Sequence, residues 1–270
     1  MKNKVVVITG GSSGIGKACA LVFGKAGAKV VISGRNSARL AEAEKELTMQ
    51  GIDTLTVVAD VAKEADNKKL VEQTIKKYGQ LDVLINNAGI SMRALFNECE
   101  PTVIEEVMGI NFYGAVYATK YALPHILKTK GSIIGVSSIA GYRGLPARTG
   151  YSASKFALQG FLEALRTELL HSGVHVLVSC PGFTESNIRN TALAADGNTQ
   201  GESPRDEGKM MTSEEVANYI LKATRKRKRT LVLTGQGKMT VFLNKFFPAF
   251  MDKMVFNHMA KEKDSPLKKA

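Results

Sequence analysis

Seven short apolar runs, interleaved with longer helical windows, constrain this chain more than any other feature it carries. The runs are KVVVIT (4–9), KVVIS (29–33), DTLTVV (53–58), DVLIN (82–86), GSIIGVSS (131–138), VHVLVS (174–179) and TLVLT (230–234). Helical periodicity fills the gaps over 15–26, 38–50, 63–78, 102–128, 152–171 and 213–226. A strand that is apolar at nearly every position has no face to offer water, so both faces of the sheet must be covered by helices. The pattern therefore predicts an α/β fold, a doubly wound seven-stranded parallel sheet in a single domain over residues 1–235.

Forty-four per cent apolar residues in 270 are enough to fill one such core. The formal charge of +12 invites a nucleic-acid reading, but thirteen basic and three acidic residues lie between Lys222 and Ala270, a surplus of +10 that leaves the first 221 residues at +2. No basic groove for nucleic acid is expected on a body that is nearly neutral. Cys19, Cys99 and Cys180 are widely spaced and odd in number, which argues for reduced core residues and against a disulfide framework or a metal site. The opening MKNKVVVITG is too short an apolar run for a signal peptide, and no uncharged apolar stretch reaches 18 residues, so a cytoplasmic protein is expected.

The turn after the first run reads TGGSSGIG (9–16). Glycines at 10, 14 and 16 allow a tight turn and close backbone approach to a pyrophosphate, with Ser12, Ser13 and Ile15 completing the loop and the following helix offering free N–H groups to the anion. Where an acidic residue would take a ribose 2′-hydroxyl, the second run ends in Gly34 and Arg35. A guanidinium there can clamp a 2′-phosphate, so NADP(H) is expected over NAD(H), with a solvated helix-entry role for Arg35 as the alternative.

TGGSSGIG, the Asp60-Val61 pair, NNAG at 86–89, Asn111, Ser138 and the pair Tyr151/Lys155 occur in this order, and the chain over residues 4–235 thereby resembles the short-chain dehydrogenase/reductase family. The resemblance implies a Rossmann fold, with Asp60 and Val61 beside the adenine, Asn87, Ala88 and Gly89 packed against the cofactor, and Pro181-Gly182 leading into nicotinamide contacts. Four residues past that glycine, where the family carries Thr, stands Ser186, with Thr184 two residues earlier, and the amide-anchoring role falls to one of them. The resemblance also implies a homodimer or homotetramer and a catalytic set of Asn111, Ser138, Tyr151 and Lys155, with Tyr151 and Lys155 also touching the cofactor and Asn111 holding a water between Lys155 and solvent.

The chemistry of that set can be argued from its side chains. Of the seven tyrosines only Tyr151 has Lys at i+4, which puts both groups on one helix face. Lowering a phenol pKa from near 10 by about 3 units takes roughly 4 kcal/mol. An ammonium about 4 Å away in an effective dielectric of about 20 supplies that much, so Lys155 is expected to tune Tyr151 as the acid/base. Ser138, at the end of the fifth run, is positioned by strand alternation to stabilise the substrate oxygen, in preference to Ser137. A catalytically silent cofactor-binding or membrane-surface module is the competing reading, and the intact set argues against it.

Two segments fall outside the alternation. Residues 183–211 are polar, long for a connection, and follow the sixth run at the ligand-binding edge, so a substrate lid is expected. Residues 236–270 form a helical C-terminal extension in which Phe242, Phe246 and Phe250 keep helical spacing, extended by Met239 and Met254. These helices could cap the sheet edge or the cleft, pack on a second subunit, or touch a bilayer surface peripherally with help from RKRKR at 225–229. In each case a lipophilic carbonyl or alcohol substrate is expected. Relatives with similar tails handle steroids or long-chain keto lipids, including 3-ketosphinganine.

Overall fold

The computed structural model describes residues 1–204, 208 and 210–268. Seven parallel strands form one sheet: β1 (Val5–Thr9), β2 (Lys29–Gly34), β3 (Thr54–Val58), β4 (Val83–Asn86), β5 (Ser132–Val136), β6 (His175–Cys180) and β7 (Thr230–Val232). Their order is β3-β2-β1-β4-β5-β6-β7. The order reverses beside β1, which pairs with β2 on one side and β4 on the other. A crevice therefore opens there past the carboxyl ends of the strands, where sheets of this kind take ligands.

The helices are α1 (Gly14–Lys25), α2 (Ser37–Met49), α3 (Glu64–Tyr78), α4 (Pro101–Met108), α5 (Gly114–Thr129), α6 (Thr149–Glu168), α7 (Ser213–Arg225), α8 (Gly235–Phe246) and α9 (Pro248–Ala260). Every residue of β1, β4, β5 and β6 is buried, as expected for strands covered on both sides. On one face Val6, Ile8 and Ile32 pack with Phe23, Leu40 and Ile220. On the other, Val5, Val7 and Ile133 pack with Leu70, Ile126 and Leu162. Local signals agree with these boundaries: Asn36 caps α2, Gly79 closes α3 at φ 74°, and Thr212 with Glu215 forms a capping box on α7.

Three differences from the sequence reading bear on the site. The single helix expected over 102–128 is α4 and α5 joined by a π-turn at Gly109–Tyr113, and Asn111 sits in that turn. The fifth strand stops at Val136, two residues short of Ser138, which instead begins a short 3₁₀ turn at Ile139–Gly141. Cys19 and Cys180 are buried and unbridged as expected, whereas Cys99 is only half-buried.

The segment expected as a lid, 183–211, includes residues 205–207 and 209, which lie outside the described residues, as do 269–270 of the C-terminal extension. Its described part is anchored by Leu193, which is buried against Met92 and Val103. Arg93 N donates to the Leu193 carbonyl at 2.8 Å, and Leu193 N donates to the Ser91 carbonyl at 2.9 Å.

The basic run and the aromatic row start from opposite ends of β7. Arg227 reaches the Gly173 carbonyl and His175 Nε2 bonds to the Lys228 carbonyl, placing 225–228 at the amino edge of the sheet. α8 begins only after β7 has reached the carboxyl edge. β7, three residues long, runs between the two features. Among the described residues, no helix is long and apolar enough to cross a membrane.

Candidate active site

A cavity of about 530 Å³ occupies the crevice. All the sequence-predicted site residues line it except Gly16 and Asn111, which stand directly behind its wall. At one end the β1–α1 loop forms a cradle. Gly10 and Gly14 take φ values of +64° and +51°, which side-chain-bearing residues avoid. A Cβ on Gly16 would lie 2.2 Å from the Gly10 carbonyl oxygen, so only glycine lets α1 start this close to the turn. The loop is locked to β4 through Asn87, whose Nδ2 donates to the Thr9 and Gly10 carbonyls at 3.0 and 3.1 Å. The Thr9 hydroxyl in turn accepts from Asn87 N and Ala88 N, each at 3.1 Å.

The N-cap residue Ser13 makes no side-chain capping bond to α1, and the positive dipole end of the helix is turned toward the cavity at Ser13–Ile15. Exposed Arg35 lines the same end, and Arg39, four residues on, joins it from the first turn of α2. The i+4 spacing was the available signal for Arg39. Asp60 and Val61 form the adjoining wall, and the Asp60 carboxylate accepts from Ala62 N at 3.1 Å. The carboxylates among the lining residues are Asp60 and Glu262, and the end of β2 contributes none. A dinucleotide fits this end: its pyrophosphate would meet the glycine turn and the α1 N-terminus, and its adenosine ribose would meet Arg35 and Arg39.

In the middle of the cavity stand Ser138, Tyr151 and Lys155. The α6 spacing puts the Lys155 ammonium 5.6 Å from the Tyr151 ring centre, and that ammonium donates to the Val136 carbonyl at 3.1 Å. Ser137 and Ser138 point apart. Ser137 donates to the Lys155 carbonyl and accepts from Gln159 Nε2 at 2.9 Å, whereas Ser138 accepts from Ala140 N at 3.1 Å and stands on the Tyr151 side, where its hydroxyl lowers the phenol pKa. The Asn111 amide braces the cleft: it accepts from Ile90 N at 2.8 Å and donates to the Ile90 carbonyl and to Ser154 Oγ at 2.9 Å each. A Cβ on Gly89 would lie 3.1 Å from Asn111 Oδ1 and 3.4 Å from Lys155 Nζ, so those two groups flank one point on the cavity wall.

The electrostatics differ from the sequence expectation. Burial is the largest influence on Tyr151 and raises its phenol above the ordinary value, while the Ser138 hydrogen bond and then the Arg189 and Arg148 charges pull it down. Lys155, expected to depress the phenol, is itself lowered to about 8 by burial. An ammonium taken out of water loses part of its charge near neutral pH, and this one directs a proton to Val136 rather than to the phenol.

Pro181, Gly182 and Thr184, which follow β6, also line the cavity. Thr184 is buried with its hydroxyl donating to the Gly182 carbonyl at 3.2 Å. Ser186 lines the cavity as well, and its Cβ lies 3.6 Å from where a Cβ on Gly14 would stand, directly over the cradle. Of the placements open to the C-terminal helices, capping of the cleft is observed, with residues that no motif marked. Leu145, Arg148 and Ile188 face Met254, Val255, Met259 and Glu262 of the C-terminal segment, which folds back over the cleft.

A model of the short chain dehydrogenase family matches residues 4–196. The chain is 36% identical over 271 residues to dehydrogenase/reductase SDR family member 7B of Mus musculus, covering 98% of this chain and 84% of that protein. It is 37% identical over 239 residues to an 11-beta-hydroxysteroid dehydrogenase of Pinus massoniana, covering 86% of this chain and 64% of that one. Among solved structures, a short chain dehydrogenase/reductase from Burkholderia phymatum in complex with NAD superposes with a TM-score of 0.83 at 24% identity, covering 92% of this chain and 95% of that one. An alcohol dehydrogenase from Thermococcus sibiricus complexed with 5-hydroxy-NADP superposes with a TM-score of 0.75 at 23% identity, covering 85% and 95%.

Proposed function

The chain belongs to the short-chain dehydrogenase/reductase family of oxidoreductases, acting on CH–OH groups, and on that premise we propose that it interconverts a lipophilic ketone and its secondary alcohol with NADP(H). The observation that carries this reading is the convergence of Ser138, Tyr151 and Lys155 in one cavity with a glycine cradle whose rim bears Arg35 and Arg39. NADP(H) bound in the cradle would supply or accept the hydride. Tyr151 gives its phenolic proton to the carbonyl oxygen as negative charge grows there, and Ser138 holds that oxygen by a hydrogen bond that strengthens as the charge develops. Lys155 stands on the next turn of α6 to stabilise the phenolate left behind and, with Asn111 bracing Ile90, to keep the route for a replacement proton open. Raised by burial, the phenol is held as the proton donor, which suits the reduction direction.

The apolar half of the cavity, from Ile139, Leu145 and Ile188 to Met254 and Met259, supports a lipophilic substrate such as a steroid or long-chain keto lipid. Residues 183–211 serve as the lid over it, and 236–270 as an extension of the 1–235 domain. α8, α9 and the joint between them expose Phe242 (60%), Phe246 (57%), Phe247 (56%) and Phe250 (58%). Exposed Lys238, Lys245 and Lys253 accompany them, a combination that supports peripheral contact with a bilayer holding such a substrate. A homo-oligomeric state and a cytoplasmic or membrane-surface location complete the proposal.

The test is a panel of steroid, acyl and sphingoid ketones followed by cofactor fluorescence with NADPH and with NADH. NADPH oxidation is expected with at least one ketone, and Tyr151→Phe should abolish it while NADPH binding persists. Undiminished turnover in Tyr151→Phe would overturn the assignment.

A further inference from the structure

The C-terminal segment carries a carboxylate into the protein. Glu262 is 5% exposed, in a stretch whose neighbours Lys261, Lys263 and Asp264 are exposed. Its Oε2 accepts from Arg148 Nη2 at 2.7 Å and lies 3.6 Å from Arg93 Nε. Arg93 also donates to the Lys263 carbonyl, so both arginines are tied to the same turn of the tail. Burying a carboxylate is costly unless cations and hydrogen bonds compensate it, and once compensated it fixes its partners in place.

What it fixes is the approach to Tyr151. Arg148 is buried, lines the cavity, and is the residue from which α6 starts, with its carbonyl accepting from Ser152 N at 2.9 Å. Ala147 before it is held at φ +60°, a conformation costly for a residue with a Cβ, and its carbonyl accepts from Ala94 N at 3.0 Å. The loop leading into α6 is bound to the tail at further points. Arg143 pairs with Asp252 and donates to Asn244 at 3.1 Å, Asn244 donates to the Tyr142 carbonyl at 3.0 Å, and Leu145 packs into the cluster of Met251, Val255 and Met259.

We infer that Glu262 is a positioning residue of the active site: by holding Arg148 it sets the substrate-facing wall beside Tyr151, so the C-terminal segment completes the catalytic cavity. The inference rests on the proposed role of Tyr151 and adds a residue more than a hundred positions away. It acts on the substrate side, because the ion pairs of Glu262 are with Arg148, at the start of α6, and with Arg93, which is itself tied to the Lys263 carbonyl.

The experiment uses the full chain, NADPH and the panel ketone reduced fastest. Glu262→Ala should raise the KM for the ketone roughly ten- to hundredfold, the scale of a misplaced positioning group. Glu262→Gln, which keeps an oxygen able to accept from Arg148, should recover part of that loss, and both should bind NADPH as the unaltered protein does. Amide hydrogen exchange, which needs no substrate, should show faster exchange at Leu145 and Ser152 in Glu262→Gln while Gly10–Gly16 is unchanged. Unchanged KM and unchanged exchange in Glu262→Gln overturn the inference, as does a fall in thermal stability of Glu262→Ala with KM unaltered. Turnover that survives Tyr151→Phe would instead strike the assignment beneath it, a separate outcome.

Discussion

The two ends of the cavity are built on different principles. The glycine cradle is made of backbone, fixed by sheet pairing and by Asn87 bonding to Thr9 and Gly10, and its residues lie within a short span of the β1–α1 turn or in one tetrapeptide after β4. The substrate wall is made of side chains from the chain's last quarter, docked by the Met251, Val255 and Met259 cluster and by ion pairs to Arg143 and Arg148. A backbone site tolerates almost no change in its few glycines. A docked wall tolerates graded change, and that is where substrate range can vary while the cofactor end stays constant.

Substitutions at each end can break this contrast. The largest effect is expected from Gly16→Ala, whose Cβ would stand 2.2 Å from the Gly10 carbonyl and must push α1 off the turn. Destabilisation of about 3 kcal/mol and loss of measurable NADPH binding are expected in thermal unfolding and cofactor titration. Met251→Ala opens a cavity in a fully buried cluster and should weaken tail docking by roughly 2–5 kcal/mol, raising ketone KM with the NADPH Kd unchanged. If NADPH binding fell in parallel, the two ends would not be independent.

Within the cradle, Arg35→Ala removes charge-assisted hydrogen bonds to a 2′-phosphate. NADPH binding should weaken about tenfold with NADH unaffected. Equal losses for both cofactors would put Arg35 among solvated helix-entry residues.

The smallest effect concerns pH. Burial lowers Lys155 to about 8 in the folded protein, from its ordinary 10.5 in the solvated, unfolded chain. Between those values the unfolded state holds the extra proton, so this group makes the fold more stable as pH rises from about 8 to 10.5. Over the same rise it loses the ammonium that supports Tyr151, so turnover should decline. Lys155→Met should flatten the stability slope in urea titrations across that window, and a slope unchanged in the variant would contradict the lowered value.

The sequence was most readable where function is local. TGGSSGIG and NNAG announce the cradle because a tight turn next to a helix start admits few residue types, and Tyr151 with Lys155 announces itself by one helical repeat. The π-turn at Gly109–Tyr113 was hidden inside a continuous helical pattern, with only Gly109 at its start and Gly114 just after it as a clue. Arg39 is a near neighbour of Arg35, but its place at the cavity depends on the entry angle of α2. Arg148 and Glu262 carry no motif. The basic run and the aromatic row adjoin in sequence, but the short β7 carries the chain from the amino to the carboxyl edge of the sheet between them.

The alternation of apolar runs and helical windows, with glycines at the first turn, determined a covered parallel sheet and a phosphate-sized notch at its carboxyl edge. Those follow from short-range geometry, since burial on both faces and a tight turn each leave a mark within a few residues. Where the C-terminal helices dock, which arginine meets Glu262, and how far burial rather than a neighbouring charge governs Tyr151 were decided only by the tertiary structure. Desolvation and long-range ion pairing depend on distances through space, and a linear pattern does not contain them.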